Sequence, residues 1–188
     1  MRYLLFLSAL LCFTRMEAQN ESSLSLHYHA FNIFHSGLEL GYDAPLLKLE
    51  SINKKEQKRW YQLYLGPSLG VYNFRGNHTG ITLGSDLGLK TIGHNGFEVE
   101  IFGGAHYLRT INANQTFELN NNGDFEEVKA AGQHYYQWRL GIGFGKNFLP
   151  KGHPFSVNVK VGASQTPPQP SPSITPNIWV GTNYYFNQ

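Results

Sequence analysis

From Trp60 to Phe186 the chain is built of segments of about ten residues in which apolar side chains alternate with small or polar ones. Successive side chains of a strand point to opposite faces, so a period of two gives each segment one apolar and one polar face. Tyr61, Leu63, Leu65, Pro67, Leu69 and Val71 alternate with Gln62, Tyr64, Gly66, Ser68, Gly70 and Tyr72. Ile81, Leu83, Leu87 and Leu89 alternate with Thr82, Gly84, Asp86, Gly88 and Lys90, and only Ser85 interrupts the apolar face. The same register returns in Phe97, Val99, Ile101, Ala105 and Tyr107, in Tyr136 to Phe144, in Phe155 to Val161 and in Ile178 to Phe186. Two earlier segments, Leu24 to Ala30 and Leu38 to Ala44, bring the expected number of strands to about eight. The polar face is rich in glycine and poor in charge, which suits a crowded interior better than a surface in water. The pattern therefore predicts an all-β, antiparallel, up-and-down transmembrane β-barrel whose apolar face meets lipid.

The N-terminus predicts export. Arg2 precedes an apolar run from Tyr3 to Phe13, and the small Ala18 precedes a polar start at Gln19, the layout of a cleavable secretory signal over residues 1–18. That run has roughly 11 residues, against roughly 20 for a membrane-spanning helix. Residues 19–188 then form a single barrel domain. Cys12, the only cysteine, would leave with the signal, so the barrel is expected to hold no disulfide and no thiolate chemistry. The formal charge of the whole chain is +2, too small and too dispersed for a nucleic-acid binder. Some 170 residues suffice for about eight strands but not for a porin of about sixteen.

With eight strands both termini lie at one end of the barrel. Connections near 34–37, 74–79, 110–133 and 165–175 then lie at the extracellular end, and short turns near 93–96 and 148–153 at the periplasmic end, with Gly96 and Pro150 supplying turn chemistry. The stretch 49–58, with Lys54, Lys55, Glu56 and Lys58, is long and charged for a turn on that side. Residues 111–133 read as a mobile polar loop or an extension of the flanking strands, and the proline-rich 164–176 as a stiff one. Tyr61, Phe97, Tyr107, Tyr136, Trp138, Tyr184 and Phe186 sit near the ends of the lipid-facing rows, where two aromatic belts about 25 Å apart are expected.

The polar register places Glu39, Asp43, Asp86, Lys90, Glu98, Glu100, His106, Arg139 and Lys160 in the lumen, with Tyr64, Tyr72 and Tyr135. A barrel of this size is just wide enough to be filled by side chains, so Glu39, Asp86, Lys90, Glu98, Glu100, His106, Arg139 and Lys160 are expected to form a charged network that plugs it. The luminal glycines, Gly84 and Gly88 among them, would make room for the tyrosines or permit strong strand coiling. Glu98, Glu100 and His106 share a strand face and could in principle serve acid/base or metal chemistry, although a charge network explains them equally. His27 and His29 share another face, and for them and for the histidines in or near loops, His35, His78, His94, His134 and His153, the default is an interfacial or solvated position.

In the last strand Val180, Tyr184 and Phe186 resemble the C-terminal signal of outer-membrane barrels read by the barrel assembly machinery, with Asn187 and Gln188 following the aromatic. Over about residues 24–186 the chain resembles small single-chain outer-membrane β-barrels of Gram-negative bacteria. Asn32, His35 and Gly37, and Gln165 and Pro167 before the last strand, resemble positions in barrel families without an assigned activity. The likeness implies a monomer in the outer membrane, in contact with its lipid and lipopolysaccharide. From the residues themselves no cofactor, no metal and no nucleic-acid partner is expected.

The expected function is structural or surface-binding, carried by extracellular loops, without catalysis. Alternatives are a small channel with a polar lumen and a secreted lipocalin-like binder of an apolar ligand. A lipid A-modifying enzyme is disfavoured, because its His-x-Ser-Asn stretch is absent and His35-Ser36-Gly37 is the nearest sequence.

Overall fold

A computed structural model describes residues 22–52, 57–119, 124–128, 130–166 and 174–186. The 1–18 signal reading lies outside these residues. Eight strands close into a barrel: β1 (Ser23–Phe31), β2 (His35–Ile52), β3 (Lys58–Phe74), β4 (His78–Gly93), β5 (Phe97–Asn112), β8 (His134–Asn147), β9 (Phe155–Gln165) and β10 (Ile174–Tyr185). The remaining two, β6 (Thr116–Leu119) and β7 (Phe125–Val128), form a separate ribbon inserted between β5 and β8. Every neighbouring pair in the wall is antiparallel, and β1 closes the cylinder by pairing with both β2 and β10. The end at which β1 starts and β10 finishes is called the near end below, and the opposite one the far end.

The alternation maps directly onto this wall. In β3 Gln62, Tyr64 and Ser68 are buried, whereas Leu69 and Val71 are exposed. Along β8 Gln137 and Arg139 point inward and Trp138, Leu140, Ile142 and Phe144 outward. The molecule is thus inside out relative to a soluble barrel: Leu140 is 64% exposed while Lys90 is 1% exposed. Such an apolar exterior far exceeds the patches of a few hundred Å² that water-soluble monomers present, and lipid is the solvent that suits it. A polar interior of this kind also removes the lipocalin-like alternative, which needs an apolar cavity. At the near end Phe97, Phe155, Tyr184 and Phe186 ring the exterior, and at the far end Tyr107, Tyr136 and Trp138 do so. Phe97 and Tyr107 bound the belts on β5, and the strand between them spans roughly 33 Å, or roughly 25 Å along a tilted axis.

β2 departs from simple alternation. Its register against β3 shifts between Pro45 and Leu47, which inserts Leu46 as a bulge residue. Before the bulge Leu38, Leu40 and Tyr42 face outward, and after it Leu47 and Leu49 do. The exposed parity therefore changes from even to odd. β2 and β3 remain paired out to Ile52 and Lys58, so residues 49–52 and Lys58 of the stretch expected to be a long turn are strand, while Lys54, Lys55 and Glu56 lie outside the described residues.

At the far end β1 and β2 are joined by residues 32–34, in which Asn32 (φ 50°) and Ile33 (φ 64°) are left-handed. Asparagine tolerates this conformation, whereas a β-branched residue there is strained. Ile33→Gly is expected to raise unfolding stability by about 1 kcal/mol, read as a shifted urea midpoint. At the near end Gly96 (φ 80°) lies against the Asn147 carbonyl, where a Cβ would come within 2.1 Å, so glycine is required. Pro150 sits in a single 3₁₀ turn, Leu149–Lys151.

Candidate functional site

Strand order stacks the inward residues in layers from the near end to the far end. In the first, Lys90 on β4 lies 3.2 Å from Asp43 and 3.6 Å from Glu98, between the rings of Tyr64 and Tyr185. Asp43 Oδ2 also accepts from Ser23 Oγ and Asn183 Nδ2, and Asn147 Nδ2 donates to Glu98. In the second, Lys160 Nζ donates to Glu100 at 2.8 Å and Tyr64 donates its hydroxyl to the same carboxylate. The third is centred on Arg139. Its Nη1 donates to Glu39 at 2.7 Å, its Nε to Asp86 at 2.8 Å and 2.9 Å, and its Nη2 to Glu39, Asp86 and Ser68. His106 Nε2 lies 3.1 Å from Asp86 Oδ1. Trp179 donates Nε1 to Glu39 and is stacked on by His29.

All eight residues expected in the luminal network are buried, and they are joined by ion pairs and hydrogen bonds. Glycines on facing strands make the tyrosines fit: a Cβ on Gly88 would lie 2.3 Å from the Tyr64 ring, and one on Gly80 2.2 Å from that of Tyr72. Glu98, Glu100 and His106 are not assembled as an acid/base group, because His106 faces Asp86 while the two glutamates serve Lys90 and Lys160. Among the described residues no group of three or more His, Cys, Asp or Glu is arranged to hold a metal. His27 and His29 correct the expectation of solvated histidines. They are 2% and 4% exposed, since β1 turns that face into the lumen, where they bond to Asn158 and Asn177. Phe102 and Trp179 are likewise luminal, flanking the Arg139 guanidinium, and a reading that reserved the lumen for polar groups passed over them.

These layers leave little space. The gap among Glu39, Asp43, Asp86, Arg139 and Lys160 amounts to about 20 Å³, room for about one water. Beyond the Arg139 layer, Phe31 stacks on Tyr72 at 4.5 Å and, with Leu108, floors a cavity of about 500 Å³ that opens at the far end. Its wall comes from β5 and from residues 131–135, which fold back so that Thr110 N–H donates to the Gln133 carbonyl and Asn112 N–H to that of Ala131. Residues 111–133, expected as a mobile loop or a strand extension, contain the β6–β7 ribbon, which exposes Phe117, Leu119 and Phe125. Around the rim His35 packs on Phe74 and His78 on both Phe74 and Tyr72. Burial lowers the pKa of both histidines from the ordinary value, and for His78 the nearby His35 adds to the shift.

Fold and interior together define a closed eight-stranded β-barrel of the membrane-spanning class, with a charged, packed lumen. Among solved structures the chain is similar to the N-terminal β-barrel domain of Pseudomonas aeruginosa OprF, at 14% identity and TM-score 0.48, over 89% of this chain and 100% of that one. It is similar to the outer membrane enzyme PagL at 11% identity and TM-score 0.46, over 87% and 97% of the two chains. For the Yersinia pestis outer membrane protein Ail the identity is 13% and the TM-score 0.37, over 89% and 100%. No protein-family model and no curated protein sequence matches the chain.

Proposed function

We propose that this chain is a monomeric outer-membrane β-barrel of a Gram-negative bacterium, with a structural wall, a sealed lumen and a surface-binding role at its far, extracellular end. One contrast carries the reading: the gap among the luminal ion pairs holds about 20 Å³ whereas the far end opens into about 500 Å³. A path for ions would have to pass the Arg139, Lys160 and Lys90 layers, each packed against its carboxylates. No catalytic activity is assigned: the grouped carboxylates are tied to cations, and the one hydroxyl–imidazole contact lining the far-end cavity, Tyr72 Oη to His78 Nε2, is long at 3.4 Å and has no carboxylate orienting the histidine among the described residues.

The outer wall supports contact with lipopolysaccharide. Arg109 at the far end donates to His134 Nε2 at 2.7 Å and to the Ala130 carbonyl at 2.9 Å, and among the described residues it meets no carboxylate within ion-pair distance. Held in place beside Tyr107 and Tyr136 without a carboxylate partner, its remaining donors suit a lipid phosphate. On β10 Val180 and Tyr184, with Phe186 just beyond, form the apolar row that would engage the assembly machinery.

Envelope fractionation, gel mobility with and without boiling, and planar-bilayer recording test this reading. The expected result is a faster-running unboiled band in the outer-membrane fraction and no stepwise conductance. Steady single-channel currents would replace it with the narrow-channel alternative, and a water-soluble protein without a mobility shift would remove the membrane assignment.

A further inference from the structure

We propose that the far-end cavity is a binding site for a neutral saccharide, an inference that rests on the surface-binding role above and gives it a ligand class. Its volume of about 500 Å³ falls within the roughly 300–1,000 Å³ of small-molecule sites. Among the described residues lining it there is no Asp, Glu, Lys or Arg. A cationic ligand would give up its hydration there without meeting a carboxylate, and an anionic one would meet only His78, whose pKa burial lowers. A purely apolar ligand would strand the carboxamides of Asn77, Asn112 and Gln133, which also line the cavity.

Those carboxamides have bonding capacity to spare. The Asn77 side chain has no hydrogen-bond partner among the described residues, and Asn112 uses only its Nδ2, towards Thr116 at 3.5 Å. Gln133 accepts from the Tyr135 hydroxyl through Oε1, which leaves both Nε2 hydrogens to donate. Sugar hydroxyls donate and accept at once, and side-chain amides match them in both senses. The C–H faces of a sugar ring need a flat apolar partner. Tyr135 supplies one: it lines the cavity and makes no ring contact with another aromatic residue among the described ones. The wall is also held before any ligand arrives, because Gln133 N–H donates to Thr110 Oγ1 at 3.0 Å while Thr110 N–H donates to the Gln133 carbonyl at 2.9 Å. Amide edges, a free ring face and a neutral, pre-formed cup together select an uncharged saccharide.

The test uses the full chain refolded in detergent micelles, with the boiling-dependent gel shift as the control for a closed barrel. Maltose, lactose, cellobiose and N,N′-diacetylchitobiose are the probes, read by saturation-transfer NMR and calorimetry. At least one is expected to bind with a Kd of about 1 mM or tighter. The Asn77→Ala/Gln133→Leu double variant and Tyr135→Leu are each expected to weaken that binding about tenfold or more. Asn73→Ala, on the outer face of β3, should leave it unchanged. The inference is overturned if a barrel with a normal gel shift binds none of the four. Undiminished binding by both cavity variants, or preference for an anionic sugar such as sialyllactose over lactose, would overturn it equally. Loss of the gel shift in the parent protein would instead count against the barrel reading.

Discussion

Arg139→Ala is expected to destabilise the folded barrel by about 3–5 kcal/mol, the range for removing one partner of a buried ion pair. The size follows from what is left behind rather than from what is lost. Glu39 takes the Nη1–Nη2 edge of the guanidinium and Asp86 the Nε–Nη2 edge, both are buried, and among the described residues no other lysine or arginine is paired with either. Without it two carboxylates face each other in a narrow lumen with only His106, His29, Ser68 and Trp179 to respond. Urea unfolding of protein refolded into phospholipid vesicles, followed by tryptophan fluorescence, measures the effect. The triple replacement Arg139→Met, Glu39→Gln, Asp86→Asn should recover most of the loss, because it removes the charges together. An Arg139→Ala midpoint equal to that of the parent would mean that water already reaches this layer, and the sealed lumen would have to be given up.

Leu140→Arg is expected to cost about 2–4 kcal/mol in the same vesicles, the depth-dependent penalty for a cation on the lipid face near the bilayer midplane. Leu140 is half-way along β8 and 64% exposed, so in water the change would be close to neutral. Tyr136→Arg, on the same face but at the far end, should cost no more than about 1 kcal/mol. The difference between the two positions isolates lipid as the solvent of the wall, since both are exposed and neither touches the lumen. Equal and small effects at both would contradict the membrane-spanning reading.

The wall was legible where one residue in two is strongly apolar, as in β3, β4 and β8, because lipid contact imposes that period and nothing in the lumen opposes it. It was less legible in β2. The Leu46 bulge reverses the parity, so Leu47 and Leu49 no longer continue the row begun by Leu38 and Leu40, and the second half of the strand looked like a charged turn. The ion-pairing residues of the lumen were readable from parity alone. Their partners were not, because they lie on strands far apart in sequence: Arg139 meets Glu39 across the barrel. Phe102 and Trp179 escaped because an apolar residue on the polar face looks like an error of register until the cation it flanks is seen. The far-end cavity was illegible for another reason. Its wall depends on residues 131–135 folding back onto β5 through backbone hydrogen bonds, and the side-chain pattern carries no trace of those.

All but one of the adjacent strand pairs in the wall join consecutive barrel strands, most through connections of a few residues, whereas Ser23 pairs with Tyr185 across nearly the whole chain. Hairpins of the first kind can accumulate in order, each at small loop-closure cost, while the β1–β10 seam bears the entropy of the entire polypeptide at once. Cylinder closure is therefore the step with the highest contact order. A circular permutant that links the two ends of the sheet at this seam and opens the chain at residues 75–77 would transfer the kinetic bottleneck to the β3–β4 junction without altering a single wall contact.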